Sequence, residues 1–154
     1  MTGSTGDDTL IGLGEADALS GGGGADKFVY NNFAESLLSA LNTCDNISGF
    51  NPGEGDRIKL SAIPSAAFFV GTQGSAIGTS VLNAAYAAAN SNTGLGANQA
   101  VFFGTGTGRT ARLYVSVNDG VAGFNAGSDL VIEVSRMIGE PTIVGSLVPS
   151  NYFS

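Results

Sequence analysis

Gly3-Ser-Thr-Gly-Asp-Asp8-Thr-Leu10-Ile, Gly12-Leu-Gly-Glu-Ala-Asp17-Ala-Leu19-Ser and Gly21-Gly-Gly-Gly-Ala-Asp26-Lys-Phe28-Val are three consecutive units of nine residues. Each begins with a glycine-rich half that ends in Asp, and an apolar residue stands two places after that Asp. The first half can turn sharply, because glycine takes φ > 0 without penalty. The second half predicts a very short strand whose middle side chain, Leu10, Leu19 or Phe28, points inward. Two units then make one coil of a parallel solenoid, with a turn on each side. Turns one and three fall on the same side, eighteen residues apart, so Asp8 and Asp26 are expected to face each other across a gap. Asp17 falls on the opposite side and needs a partner from outside the triplet.

Carboxylates beside turn carbonyls form an all-oxygen cage, the donor set that hard Ca²⁺ prefers. The expected ligands are the carboxylates of Asp8, Asp17 and Asp26, with the backbone at Gly3, Thr5, Gly12, Gly14, Gly21 and Gly23. A lone Gly/Asp stretch would read as a surface loop or linker. Three units in one register, each keeping its apolar position, argue against that. The units are imperfect: Leu13, Glu15 and Ser4 stand where the third unit has glycine. A side chain in a left-handed turn is costly, so the middle turn is expected to be irregular. A coil and a half predicts one to three ions.

The pattern G-G-x-G-x-D-x-U-x resembles the RTX (haemolysin-type) calcium-binding repeat. Downstream, Asp45-Asn-Ile-Ser-Gly-Phe-Asn-Pro-Gly-Glu-Gly-Asp56-Arg-Ile-Lys-Leu60-Ser is similar to the segment after the β-roll in the C-terminal domain of serralysin-type secreted proteases. Gly49 stands where that pattern usually has a second Asp. Asp45 and Asp56 match it and are candidate calcium ligands; the other reading is a turn aspartate capping a strand. Asn118-Asp119-Gly120, then Ala-Gly-Phe, then Asp129 resembles a D-G-x-A-D-F segment near the end of such domains. Asp119 and Asp129 either share a further cation or bound two strands as turn residues. The resemblance also implies an uncleaved C-terminal signal for type I secretion, of which Asn151-Tyr-Phe-Ser is a loose version.

Composition sets the frame. Hydrophobic residues are 43% of the 154, charged residues only 12%, and glycines number 24, which favours a β-rich fold. The net charge is −7, and residues 1–60 hold nine of the thirteen acids. With no basic patch to neutralise phosphates, nucleic acid and anionic membrane surfaces are poor partners. The absence of histidine removes Ser-His-Asp and Cys-His catalysis and H-E-x-x-H zinc sites. Cys44 is the single cysteine, so no internal disulfide forms. No apolar run reaches the length of a membrane helix. Met1-Thr-Gly leads straight into the repeats without a signal peptide, and an array beginning at Gly3 reads as the tail of a longer one.

The predicted fold is mainly β: a short parallel β-roll over residues 1–30, then a β-sandwich-like cap over 31–154 with one helix. A short helix or turn is expected over 34–41, and strands over 47–50, 57–60 and 130–134. A helix lies within 75–90, with Val81, Leu82, Ala85 and Tyr86 on one face and Thr79 or Ser80 as cap. Strands 99–103 and 112–117 flank the glycine-rich Gly104–Thr110 as a hairpin; no Gly-Lys pair supports a phosphate loop there. A last strand is expected within 142–154. The function these features imply is a non-enzymatic calcium-binding module of a bacterial extracellular protein. It would fold on meeting external calcium and engage a type I secretion apparatus. The rival is an adhesion or surface-layer module rigidified by calcium, with a cell-surface or glycan partner.

Overall fold

The computed structural model describes residues 1–38 and 43–154. Strands β1 (Thr9–Leu10), β2 (Ala18–Ser20) and β3 (Lys27–Val29) each begin one residue after a repeat Asp. Winding continues through β4 (Asp45–Ser48) and β5 (Arg57–Lys59). Successive strands alternate between two sheets. β1, β3 and β5 form a small parallel sheet, while β2 pairs in parallel with β4 in a second sheet. Leu10 is level with Phe28, Phe28 with Ile58, and Leu19 with Ile47. All of them are buried in one apolar cluster. The expected roll therefore forms, with its apolar positions stacked inside.

Among the described residues, the second sheet has seven strands in the order β10-β6-β7-β8-β9-β4-β2. Its other members are β6 (Ala66–Gly74), β7 (Gln99–Thr105), β8 (Arg112–Val117), β9 (Leu130–Ser135) and β10 (Gly145–Leu147). One face meets the interior of the roll through Phe102, Val115, Ile132 and Val134. The other face, through Val101, Phe103, Tyr114 and Val131, is covered by α1 (Thr79–Ala89). The helix forms because alanine dominates it and its buried residues Leu82, Ala85, Tyr86 and Ala89 fall on one stripe. Gly78 precedes it with no side-chain cap, so Thr79 and Ser80 lie inside the helix and neither caps it.

β7 and β8 form the expected antiparallel hairpin, joined through a 3-10 turn at Gly108–Thr110. β6 was not foreseen. It pairs in parallel with β7, and α1 supplies the crossover that a parallel pair requires. The expected closing strand is divided. β10 pairs antiparallel with β6, and after a 3-10 turn at Pro149–Asn151 the chain returns to the roll. There the Ile58 N–H donates to the Tyr152 carbonyl at 2.8 Å, and the Ser154 N–H donates to the Ile58 carbonyl at 3.1 Å. Phe153 is 1% exposed and packs against Phe102. The short helix or turn expected over 34–41 falls partly outside the described residues; ahead of them Phe33–Glu35 form a 3-10 turn. Among the described residues, no helix is long and apolar enough to cross a membrane.

Candidate metal centre

The three repeat units share one side-chain feature. In each unit the Asp carboxylate folds back toward the first glycine of its own unit. A Cβ there would stand 2.7 Å from Asp8 Oδ2 at Gly3, 2.9 Å from Asp17 Oδ2 at Gly12, and 1.9 Å from Asp26 Oδ2 at Gly21. Turns one and three are stacked. The Asp8 N–H donates to Asp26 Oδ1 at 2.9 Å, the Ala25 N–H to Asp7 Oδ1 at 2.8 Å, and the Gly23 N–H to the Ser4 carbonyl at 3.0 Å. Gly22 has φ of 105°, and a Cβ on it would lie 1.9 Å from the Ser4 carbonyl oxygen. Only glycine allows that approach. Asp8 and Asp26 thus lie on one side of the roll, as the eighteen-residue spacing implies.

Asp17 lies on the other side, and its neighbour is Asp45: the Asp17 N–H donates to Asp45 Oδ1 at 2.9 Å. The middle turn carries the two expected irregularities. Leu13 and Glu15 have φ of 71° and 76°, the left-handed region that glycine occupies at the matching positions of the third unit, Gly22 and Gly24.

A single hydrogen-bonding device recurs among the deeper aspartates. One oxygen of each accepts the N–H of an aspartate at the start of a neighbouring strand or turn. Asp26 takes that of Asp8, Asp45 that of Asp17, Asp56 that of Asp26 and Asp129 that of Asp119, all at 2.9 Å. The second oxygen separates them. In Asp45 it accepts the Tyr30 hydroxyl at 3.0 Å, in Asp56 the Asn51 N–H at 2.8 Å, and in Asp129 the Asn125 N–H at 2.6 Å. In Asp26, fully buried, Oδ2 has no hydrogen-bond partner among the described residues. Asp119 accepts the Val121 N–H at 2.7 Å, closing its own turn. Asp8 Oδ2 accepts the Ser4 N–H at 2.6 Å.

Electrostatics follow the same division. Burial pushes the Asp26 carboxyl above the usual carboxylate range; the Asp8 N–H pulls it back, and the charges of Asp56, Asp8 and Asp7 raise it further. Burial likewise raises Asp45 and Asp129. A buried carboxylate oxygen without a donor carries a desolvation penalty of about 1–3 kcal/mol or more. A cation would remove that penalty and offset the nearby charges of Asp56, Asp8 and Asp7, and the stacked turns bring the Ser4 and Gly21 carbonyls close by. Among the described residues, no three acidic or cysteine side chains converge as a metal-holding group. Any cation at Asp8 and Asp26 would therefore take most of its oxygens from turn carbonyls, a donor set suited to calcium. The residues fit the ion at this position.

Asp7, Tyr30 and Ser36 escaped the sequence reading. Asp7 directly precedes Asp8, and that doubled acid was its only trace. Tyr30 and Ser36, whose Oγ accepts the Asp45 N–H at 3.0 Å, are joined to Asp45 only by the fold.

The parallel roll, its Gly/Asp turns and its continuation through Asp45 and Asp56 can be set beside known proteins. No curated protein matches the chain. The family model described as Peptidase M10 serralysin C terminal matches residues 1–100, more than half of the sequence. The chain therefore belongs to the Peptidase M10 serralysin C-terminal family.

Proposed function

We propose that this domain is a calcium-responsive folding module, and that it supports export of a secreted bacterial protein by a type I apparatus. One observation carries the reading: Asp26 Oδ2 is buried between two stacked glycine-bearing turns and has no hydrogen-bond partner among the described residues. Asp8 and Asp26, with carbonyls of the turns at Gly3, Thr5, Gly21 and Gly23, would hold the ion. Asp17 and Asp45, with Gly12 and Gly14, are the weaker candidates on the opposite side. Asp56, Asp119 and Asp129 have carboxylate oxygens already engaged by N–H groups, which supports a turn-closing role for them.

When bound, calcium supplies positive charge where Asp7, Asp8, Asp26 and Asp56 repel one another. The chain's own part is to hold the carboxylates close and to exclude water from Asp26. Binding free energy then becomes folding free energy. Without the ion, a glycine-rich array loses more in ordering entropy than its thin core returns. Extracellular calcium modules work near roughly 10⁻⁴–10⁻³ M, so the array would stay open in the cytosol and fold outside. The domain supplies no hydrolytic chemistry in this reading, which agrees with a family defined by the serralysin C-terminal region.

Circular dichroism and amide NMR of the domain, titrated with calcium, test this. The roll amides of residues 3–30 are expected to become dispersed with a midpoint in that range, and Asp26→Asn to move the midpoint up about tenfold or more. A roll fully formed in calcium-free buffer, with no response to added ion, would sink the proposal.

A further inference from the structure

The roll leaves half of the chain's basic residues without a role. Of six, Arg109, Arg112 and Arg136 line one groove of about 670 Å³ across the ends of β6 to β9. That volume falls within the roughly 300–1,000 Å³ of small-molecule sites. Arg112 is engaged: its guanidinium donates to Glu133 Oε1, whose other oxygen receives the Tyr114 hydroxyl at 3.4 Å. Arg109 and Arg136 have no ion-pair partner among the described residues.

Both unpaired guanidiniums stand on defined rims. Arg136 has φ of 53°, a left-handed bend taken directly after β9, while its neighbour Met137 turns back into the core. For a non-glycine residue that conformation is strained. Arg109 sits in the 3-10 turn closed by reciprocal Thr107 and Thr110 hydrogen bonds.

Charge and chemistry narrow the ligand. A molecule of net charge −7 repels dense polyanions, and Glu140 on the rim would oppose a second closely spaced carboxylate. A sugar acid carries a single carboxylate per ring, surrounded by hydroxyls. Arginine forks suit the carboxylate; Glu140 and Thr72 suit the hydroxyls. We propose that this groove binds a uronate-bearing saccharide, with Arg109 and Arg136 on the carboxylate and Glu140 accepting from ring hydroxyls.

The test is an amide NMR titration of the domain in saturating calcium with a galacturonate trisaccharide, its neutral methyl ester, and triglutamate. The uronate is expected to shift amides around Arg109, Arg136 and Gly139. Esterification, Arg136→Gln and Arg109→Gln should each weaken binding about tenfold. Both arginines are exposed and lie outside the roll, so both variants should keep the wild-type calcium response. That control separates failure of this proposal from failure of the calcium reading. The assignment is overturned if the uronate leaves the groove amides unmoved, if its ester binds equally well, if either arginine variant binds as wild type does, or if triglutamate binds at least as tightly.

Discussion

Asp45 and Asp129 lie wholly out of water, and each gives both carboxylate oxygens to N–H or O–H donors. Burial is the largest influence on both and raises their carboxyls above the ordinary 3.8; nearby Asp17 and Glu35 add to it for Asp45, and Asp119 for Asp129. The donated hydrogen bonds offset this only in part. A group whose native pKa exceeds its unfolded value stabilises the fold when protonated. That contribution is complete below the ordinary value and is lost as pH rises through the raised native one. The calcium-free domain should therefore gain thermal stability as pH falls from 7 into the mildly acidic range. Thermal melts in metal-stripped buffer check this, and Asp45→Asn should flatten the slope. The left-handed Leu13 is a second residue-scale case. Leu13→Gly removes strain that outweighs the added chain entropy, for a gain of up to about 1 kcal/mol. Chemical denaturation at saturating calcium reads it directly.

At the scale of elements, the nonapeptides were legible because one short period fixes three things together: the turn, the Asp and the inward Leu10, Leu19 or Phe28. The hairpin and α1 were legible from glycine punctuation and an alanine-rich stripe. β6 was not, because Ala66–Gly74 lies between the helix and the roll in a covered sheet and shows no clean alternation. The Tyr30–Asp45 and Asp8–Asp26 contacts differ in the same way. A fixed spacing announces the second pair, whereas only tertiary folding makes the first. Of the segment 142–154, expected to hold a last strand, residues 152–154 join the roll beside β5. This gives a prediction for that element. Phe153→Ala should cost about 3–5 kcal/mol and raise the calcium midpoint, because Phe153 packs in the same cluster as Leu10, Phe28 and Ile58. Leu82→Ala, on the helix face, should cost about 2–5 kcal/mol with less effect on the roll amides. Equal effects of the two on those amides would refute the distinction.

For the whole molecule, acidic charge is concentrated toward the roll. Nine of thirteen acids lie in residues 1–60, while the seven-stranded sheet and helix bury most of their side chains without charge. Raising sodium chloride to about 0.5 M should screen the roll's self-repulsion and stabilise the calcium-free domain, with a smaller effect once calcium is bound. Melting curves across salt, with and without calcium, give the comparison. The return of the chain to β5 also sets an order in time. The segment that seals the roll, residues 152–154, follows the whole intervening sheet and helix in the sequence. Contacts between segments so far apart in sequence close late and slowly. Folding of the roll would finish in one late step, when Phe153 docks beside β5.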